Sequence, residues 1–185
     1  NPVQEISALA HRHGALLLVD TVTSLGGMPV KVDDWGIDVC YSGTQKCLSC
    51  PPGLSPFTLN ERAMETIRNR KKKVHSLYLD LNLLDTYWGE KRAYHHTAPI
   101  SMVYAIREAL RIVLEQGLEA CFQRHQLTHN ALVAGLEAMG LRLLPREDER
   151  LWTLNAVVIP DGIDDAKVRN RLLNEYNIEI GGGLG

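Results

Sequence analysis

Ala15-Leu16-Leu17-Leu18-Val19 is an unbroken apolar run closed by a carboxylate, Asp20. It is apolar at odd and even positions alike and too short for an independent helix. That pattern predicts a parallel strand buried on both faces. The residues ahead of it carry helix punctuation. Asn1 can cap, Pro2 suits a first helical turn, and Gln4 stands at the capping-box position. Ile6, Leu9 and Ala10 supply an apolar stripe, and Gly14 offers a left-handed stop. A helix feeding a buried strand that ends in a charge is the opening unit of an α/β fold.

The same reading predicts strands over 37–41 and 55–59, with a loop over 42–53 between them. Helices are expected over 61–73, 77–87, 99–116 and 118–139, the last stopped by Gly140. The pattern then changes. Residues 141–144 and 155–159 read as strands, 164–176 as a helix and 178–180 as a strand. This tail is a second, smaller α+β unit with its junction near Gly117, dividing the chain into 1–117 and 118–185. The chain begins with Asn1 and stops within a glycine run, so it is expected to be part of a longer protein.

Composition narrows the function classes. The 185 residues are 45% hydrophobic and carry a net charge of -2, with no basic excess of the kind a nucleic-acid binder needs. The one dense basic run, Arg68 with Arg70, Lys71, Lys72 and Lys73, reads as a solvated helix end. Cys47 and Cys50 have CxxC spacing, but no second Cys/His pair stands near to complete a zinc site, and no metal is expected. Reduced thiols, no apolar run long enough to span a membrane and no signal peptide fit a cytoplasmic setting.

Three features can carry chemistry. Asp20 closes a strand, where ligands collect in open α/β sheets, although a lone Asp there also serves as a turn cap. Lys46, in Tyr41-Ser42-Gly43-Thr44-Gln45-Lys46, lies just past the next strand end. It is a nucleophile if deprotonated, and otherwise an ordinary surface lysine. Tyr94-His95-His96-Thr97 groups two hydroxyls around two imidazoles; adjacent histidines rarely chelate one ion, whereas the hydroxyls can bond a phosphate. Together, an acid and a lysine after consecutive parallel strands match what a pyridoxal cofactor needs: an amine for the imine and a carboxylate for the ring nitrogen.

At this point the chain resembles the alanine–glyoxylate (serine–pyruvate) aminotransferases of class V. The likeness is carried by 18–27 (Leu18-Val19-Asp20-Thr21-Val22-Thr23-Ser24-Leu25-Gly26-Gly27) and by 41–46 quoted above. It continues through Pro51-Pro52-Gly53, Tyr78-Leu79-Asp80, Tyr94-His95-His96-Thr97, Glu115-Gln116-Gly117-Leu118 and Ile178-Glu179-Ile180-Gly181-Gly182-Gly183-Leu184-Gly185. The resemblance implies the fold-type I architecture: part of a large, mostly parallel-sheet domain followed by part of a small α+β domain. It also implies pyridoxal 5'-phosphate and a homodimer, with no nucleic acid or membrane as partner.

Carried over residue by residue, the resemblance makes Lys46 the Schiff-base and proton-shuttling lysine and Asp20 the partner of the pyridine nitrogen. Val22 packs on one ring face and Gln45 bonds the phosphate. Tyr94 and Thr97 reach the partner subunit's cofactor, while His95 and His96 pack at the interface. The implied reaction moves an amino group from alanine or serine to glyoxylate in two half-reactions. Related donors (serine–pyruvate, ureidoglycine, 3-hydroxykynurenine and 2-aminoethylphosphonate activities) are the nearest alternatives. A non-catalytic cofactor-binding or structural homologue is the alternative from another class. In the family, the phosphate-cradling turn and the ring-stacking aromatic lie before Asn1, and the carboxylate-gripping arginine after Gly185. The 185 residues alone are therefore expected to be poorly stable and inactive. A peroxisomal location is implied only for eukaryotic members.

Overall fold

The structure, a computed structural model, describes residues 1–183; Leu184 and Gly185, which end the glycine-rich motif, lie outside the described residues. Helix α1 (Val3–Arg12) leads into strand β1 (Leu18–Asp20), followed by β2 (Val39–Tyr41) and β3 (Phe57–Leu59). Five α-helices follow among the described residues: α2 (Glu61–Arg68), α3 (Leu81–Trp88), α4 (Ile100–Gln116), α5 (Leu118–Ala138) and α6 (Asp165–Tyr176). The strands form one mixed sheet in the order β1-β2-β3, with β1 parallel to β2 and β2 antiparallel to β3. The chain divides into two compact units, the first covering Asn1–Phe122 and the second beginning at Gln123. No helix among the described residues is long and apolar enough to cross a membrane.

The helix stops follow local chemistry. Gly14, Gly117 and Gly140 all adopt positive φ just beyond α1, α4 and α5, where a side chain would strain the backbone. Asn60, Asp80 and Asp164 cap α2, α3 and α6 with side-chain bonds to backbone N–H groups. At α1 the capping expectation fails: Pro2 is the cap residue, no side chain bonds there, and only the Asn1 carbonyl accepts from Val3.

Burial departs further from expectation. β1 is not covered on both faces: Leu18 is 60% exposed. A parallel strand is buried when it has neighbours on both edges and layers on both faces, and among the described residues β1 pairs only with β2. The apolar stripe of α1 is also open, with Ile6 and Leu9 exposed; α1 instead buries Ser7, whose hydroxyl donates to the Gly36 carbonyl at 2.6 Å. The core of the first unit is small and lies around Ile37, Cys40, Leu48, Cys50 and Ala63.

In the second unit the segments expected as strands meet at one antiparallel bridge, Leu143 with Val157. Residues 178–180 form no strand, because no neighbouring strand supplies a ladder among the described residues.

A polar network organises the first unit. The Asp38 carboxylate is buried at the entrance to β2. Its Oδ2 accepts from the Leu17 N–H and bonds His11 Nε2, both at 2.7 Å, and its Oδ1 accepts from Asn60 Nδ2 at 2.9 Å. One carboxylate thus joins α1, the approach to β1, and the cap of α2. Burial by itself raises this carboxyl, but the Leu17 N–H, Asn60 and His11 outweigh it and hold the group below the ordinary carboxylate range.

Replacing Asp38 by Ala removes one side of this buried network and is expected to cost about 3–5 kcal/mol in denaturant unfolding of the whole protein. Because the folded carboxyl is depressed, its contribution is complete above the unfolded value of about 3.9 and is lost as pH falls through the lower folded value. The stability gap between wild type and Asp38→Ala should therefore narrow on acidification below about pH 4. An undiminished gap at low pH would contradict the network's ionised state.

Candidate functional site

Because β1 and β2 run parallel, the residues that follow them emerge at the same end of the sheet, the carboxyl ends of the strands, where α/β proteins bind ligands. Asp20 ends β1 with its carboxylate exposed. Oδ1 accepts from the Val22 N–H at 2.8 Å and Oδ2 from the Tyr41 hydroxyl at 2.9 Å. Each oxygen keeps lone-pair capacity for a further donor. The bond to Asp20 holds the Tyr41 phenol above its ordinary value, with burial and the carboxylate's charge adding to it. Val22 is half-buried beside them.

The turn after β1 is tied to β2 by Thr21. Its N–H and its hydroxyl both donate to the Tyr41 carbonyl, at 2.9 and 2.8 Å. The Thr21 carbonyl in turn accepts from Ser42 Oγ at 3.1 Å. Gly26 turns with φ +88, and a Cβ there would stand 3.2 Å from the Leu48 side chain, so this turn lies directly on the loop that follows β2.

That loop carries Lys46. Thr44 is fully buried and donates from Oγ1 to the Pro51 carbonyl at 2.8 Å, while its carbonyl accepts from the Cys50 N–H at 3.0 Å. Ser42 adds a bond from its N–H to the Pro56 carbonyl at 2.8 Å. With both flanks held, Gln45 and Lys46 stand exposed at the crest. The CxxC cysteines act in this packing: Cys47 Sγ reaches the Thr23 carbonyl at 3.5 Å, and Cys50 is buried.

Tyr94 and Thr97 form a separate cluster. Their hydroxyls lie 3.2 Å apart and both residues are exposed. His95 and His96 point inward: their Nδ1 atoms are 2.8 Å apart, and His95 Nε2 donates to the Leu77 carbonyl at 2.7 Å. Tyr78 and Tyr87 flank the His96 ring. No metal-binding group of three or more side chains occurs among the described residues.

The structure thus joins Asp20, Val22 and the Gln45–Lys46 loop through a chain of bonds, and leaves Tyr94 and Thr97 on their own segment. Tyr41, Thr21 and Thr44 were not singled out from sequence. Their positions beside Asp20 and Lys46 in the chain were visible, but the strand register that gives them partners was not.

Comparison with known proteins agrees along the chain. The family model described as "Aminotransferase class-V" matches residues 1–184. The (S)-ureidoglycine–glyoxylate transaminase of Bacillus subtilis is 42% identical over all of this chain and 49% of its own length. The alanine–glyoxylate aminotransferase of Drosophila melanogaster is 41% identical over 99% of this chain and 48% of its own length. The crystal structure of alanine–glyoxylate aminotransferase from a Nostoc species superposes with a TM-score of 0.95 at 54% identity, covering all of this chain and 49% of that one. The chain spans about half the length of the curated relatives it matches.

Thr44→Val keeps the shape of the side chain but removes the hydroxyl that holds the Pro51 carbonyl. The expected cost is about 1–3 kcal/mol, with faster amide exchange at residues 45–49 measured by mass spectrometry. Unchanged exchange there would show that the loop does not depend on Thr44.

Proposed function

The chain belongs to the class-V aminotransferase family, and on that premise we propose that the whole protein moves an amino group from a small amino acid, alanine or serine, to glyoxylate, using pyridoxal 5'-phosphate. The observation that carries this reading is the placement of Asp20 and the Lys46 loop at the carboxyl ends of neighbouring parallel strands. The fold supports it as part of the fold-type I α/β architecture seen in these aminotransferases.

The residues fit the cofactor. A carboxylate with one donor on each oxygen and spare lone pairs suits a protonated ring nitrogen. A primary amine at the crest of a pinned loop suits the cofactor's aldehyde. When bound, pyridoxal phosphate supplies the electron sink that makes the substrate's Cα proton removable. Lys46 would hold the cofactor's aldehyde carbon and, once substrate displaced it, would move the proton to and from the substrate Cα. Asp20 would pair with the ring nitrogen and keep a proton on it. Val22 would cover one ring face, and Gln45 would donate its amide to the phosphate.

Tyr94 and Thr97, exposed and paired, would donate their hydroxyls to the phosphate in the second subunit of a homodimer. Residues 1–117 form part of the large cofactor domain and 118–185 part of the small domain. The two half-reactions follow in ping-pong order, amino donor first and glyoxylate second.

A second donor has a specific observation in its favour. The Bacillus subtilis relative named for (S)-ureidoglycine is as similar to this chain as the alanine–glyoxylate enzyme of Drosophila melanogaster. Asp20 and Lys46 weigh against a purely structural homologue, which has no need of an acid and an amine at the ends of neighbouring strands.

Absorbance spectra of the whole protein with pyridoxal phosphate provide the test. Wild type should show a visible band that Lys46→Ala lacks. Alanine should bleach that band, and glyoxylate should restore it. No Lys46-dependent band would sink the cofactor reading, whereas a band that ignores alanine and answers to ureidoglycine would move the donor within the family.

A further inference from the structure

Asp20 and Tyr41 stand opposite each other in the parallel register of β1 and β2, so their side chains leave the same face of the sheet. The phenol hydroxyl crosses to the carboxylate and donates to Oδ2 at 2.9 Å. The strand end that bears the phenol is itself fixed, because the Tyr41 carbonyl receives both the N–H and the hydroxyl of Thr21. From this geometry we propose that Tyr41 is a positioning residue for the ring-nitrogen acid. In this role it sets the plane of the Asp20 carboxylate and does not itself react. The inference rests on the reading of Asp20 given above.

The physical reason is the softness of the aspartate side chain. The terminal torsion of an Asp is broad and nearly two-fold, so an exposed carboxylate held by one donor can turn through a wide arc. Here each oxygen has its own donor, the Val22 N–H on Oδ1 and the Tyr41 hydroxyl on Oδ2. Two donors, one on each oxygen, restrict the turning of the carboxylate plane and leave each oxygen lone-pair capacity for a further donor. The raised Tyr41 phenol is the matching sign on the other partner, since a proton shared with a carboxylate is harder to remove. The bond is also charge-assisted, the class whose loss is felt most strongly. Tyr41→Phe removes the hydroxyl and nothing else, leaving the ring and the strand pairing in place.

The experiment has two arms on the whole protein. In the cofactor-free form, carbon-13 tyrosine NMR follows phenol ionisation, with the Tyr41 signal assigned by its loss in Tyr41→Phe. Asp20→Asn should let the Tyr41 phenol ionise at lower pH than in wild type; an unchanged titration overturns the contact.

In the cofactor-loaded form, Tyr41→Phe should weaken pyridoxal phosphate binding about tenfold. It should also shift the pH profile of the Lys46-dependent band and lower kcat with little change in KM for the amino donor. A Tyr41→Phe protein with wild-type affinity and pH profile overturns the inference alone. The absence of a Lys46-dependent band in wild type overturns the cofactor reading and the inference with it.

Discussion

The parallel pairing of β1 with β2 is the contact on which the candidate site depends, and polar groups secure it at both ends. At the entrance, the buried Asp38 carboxylate holds the Leu17 N–H just ahead of β1 while its own residue leads into β2. At the exit, Thr21 gives its N–H and hydroxyl to Tyr41, and its carbonyl takes the Ser42 hydroxyl. Buried polar groups of this kind cost free energy unless every one is matched, and matched they permit a single register. In the first unit Asp38, Thr21, Ser42 and Thr44 are all buried and all bonded. A slip of one residue between the strands would send Tyr41 to the other face and separate it from Asp20.

The loops at the exit end inherit this order. Thr44 ties the Lys46 loop back to Pro51 and Leu54, and Leu48 from the same loop lies under Gly26 of the turn after Asp20. The acid and the lysine are thus held by two neighbouring loops that pack on each other. This suits a site that must hold a rigid aromatic ring, because placement errors of an ångström at the reacting atoms are costly. The imidazoles of His95 and His96 serve a comparable purpose elsewhere. Both nitrogens of His95 and Nδ1 of His96 are engaged with each other and with Leu77, while the Tyr94 and Thr97 hydroxyls stand exposed.

Much apolar surface stays open around this framework. β1 has an unpaired edge among the described residues, and α4 presents Val103, Ile106, Leu110 and Leu114 along an apolar groove flanked by Arg107 and Arg111. Open strand edges and contiguous apolar faces are surfaces that pair or become buried when partners are available. α4 is rich in apolar residues, yet Ala109 is its one buried residue. Hydrophobic periodicity reports which face can be covered, and coverage itself depends on what packs there.

Local signals in the sequence determined the extents of α4, α5 and α6 and which side chains close the first two strands. By contrast, α2 stops at Arg68, short of the expected Lys73, and α3 starts only at Leu81. Gly14, Gly117 and Gly140 stop helices because only glycine enters the left-handed region without strain, and that preference belongs to the residue itself. Asp20 and Lys46 were legible as a pair for a similar reason: a short apolar run and its closing polar residue are adjacent in the chain.

The tertiary structure alone decided the rest. The Asp38 network joins residues 11, 17, 38 and 60, and the Tyr41–Asp20 bond spans 21 positions. The exposure of Leu18 and Ile6 follows from which neighbours are present. Periodicity and backbone preference act within a few residues. Register, polar pairing and burial arise only when distant segments meet, and so they are properties of the packed chain.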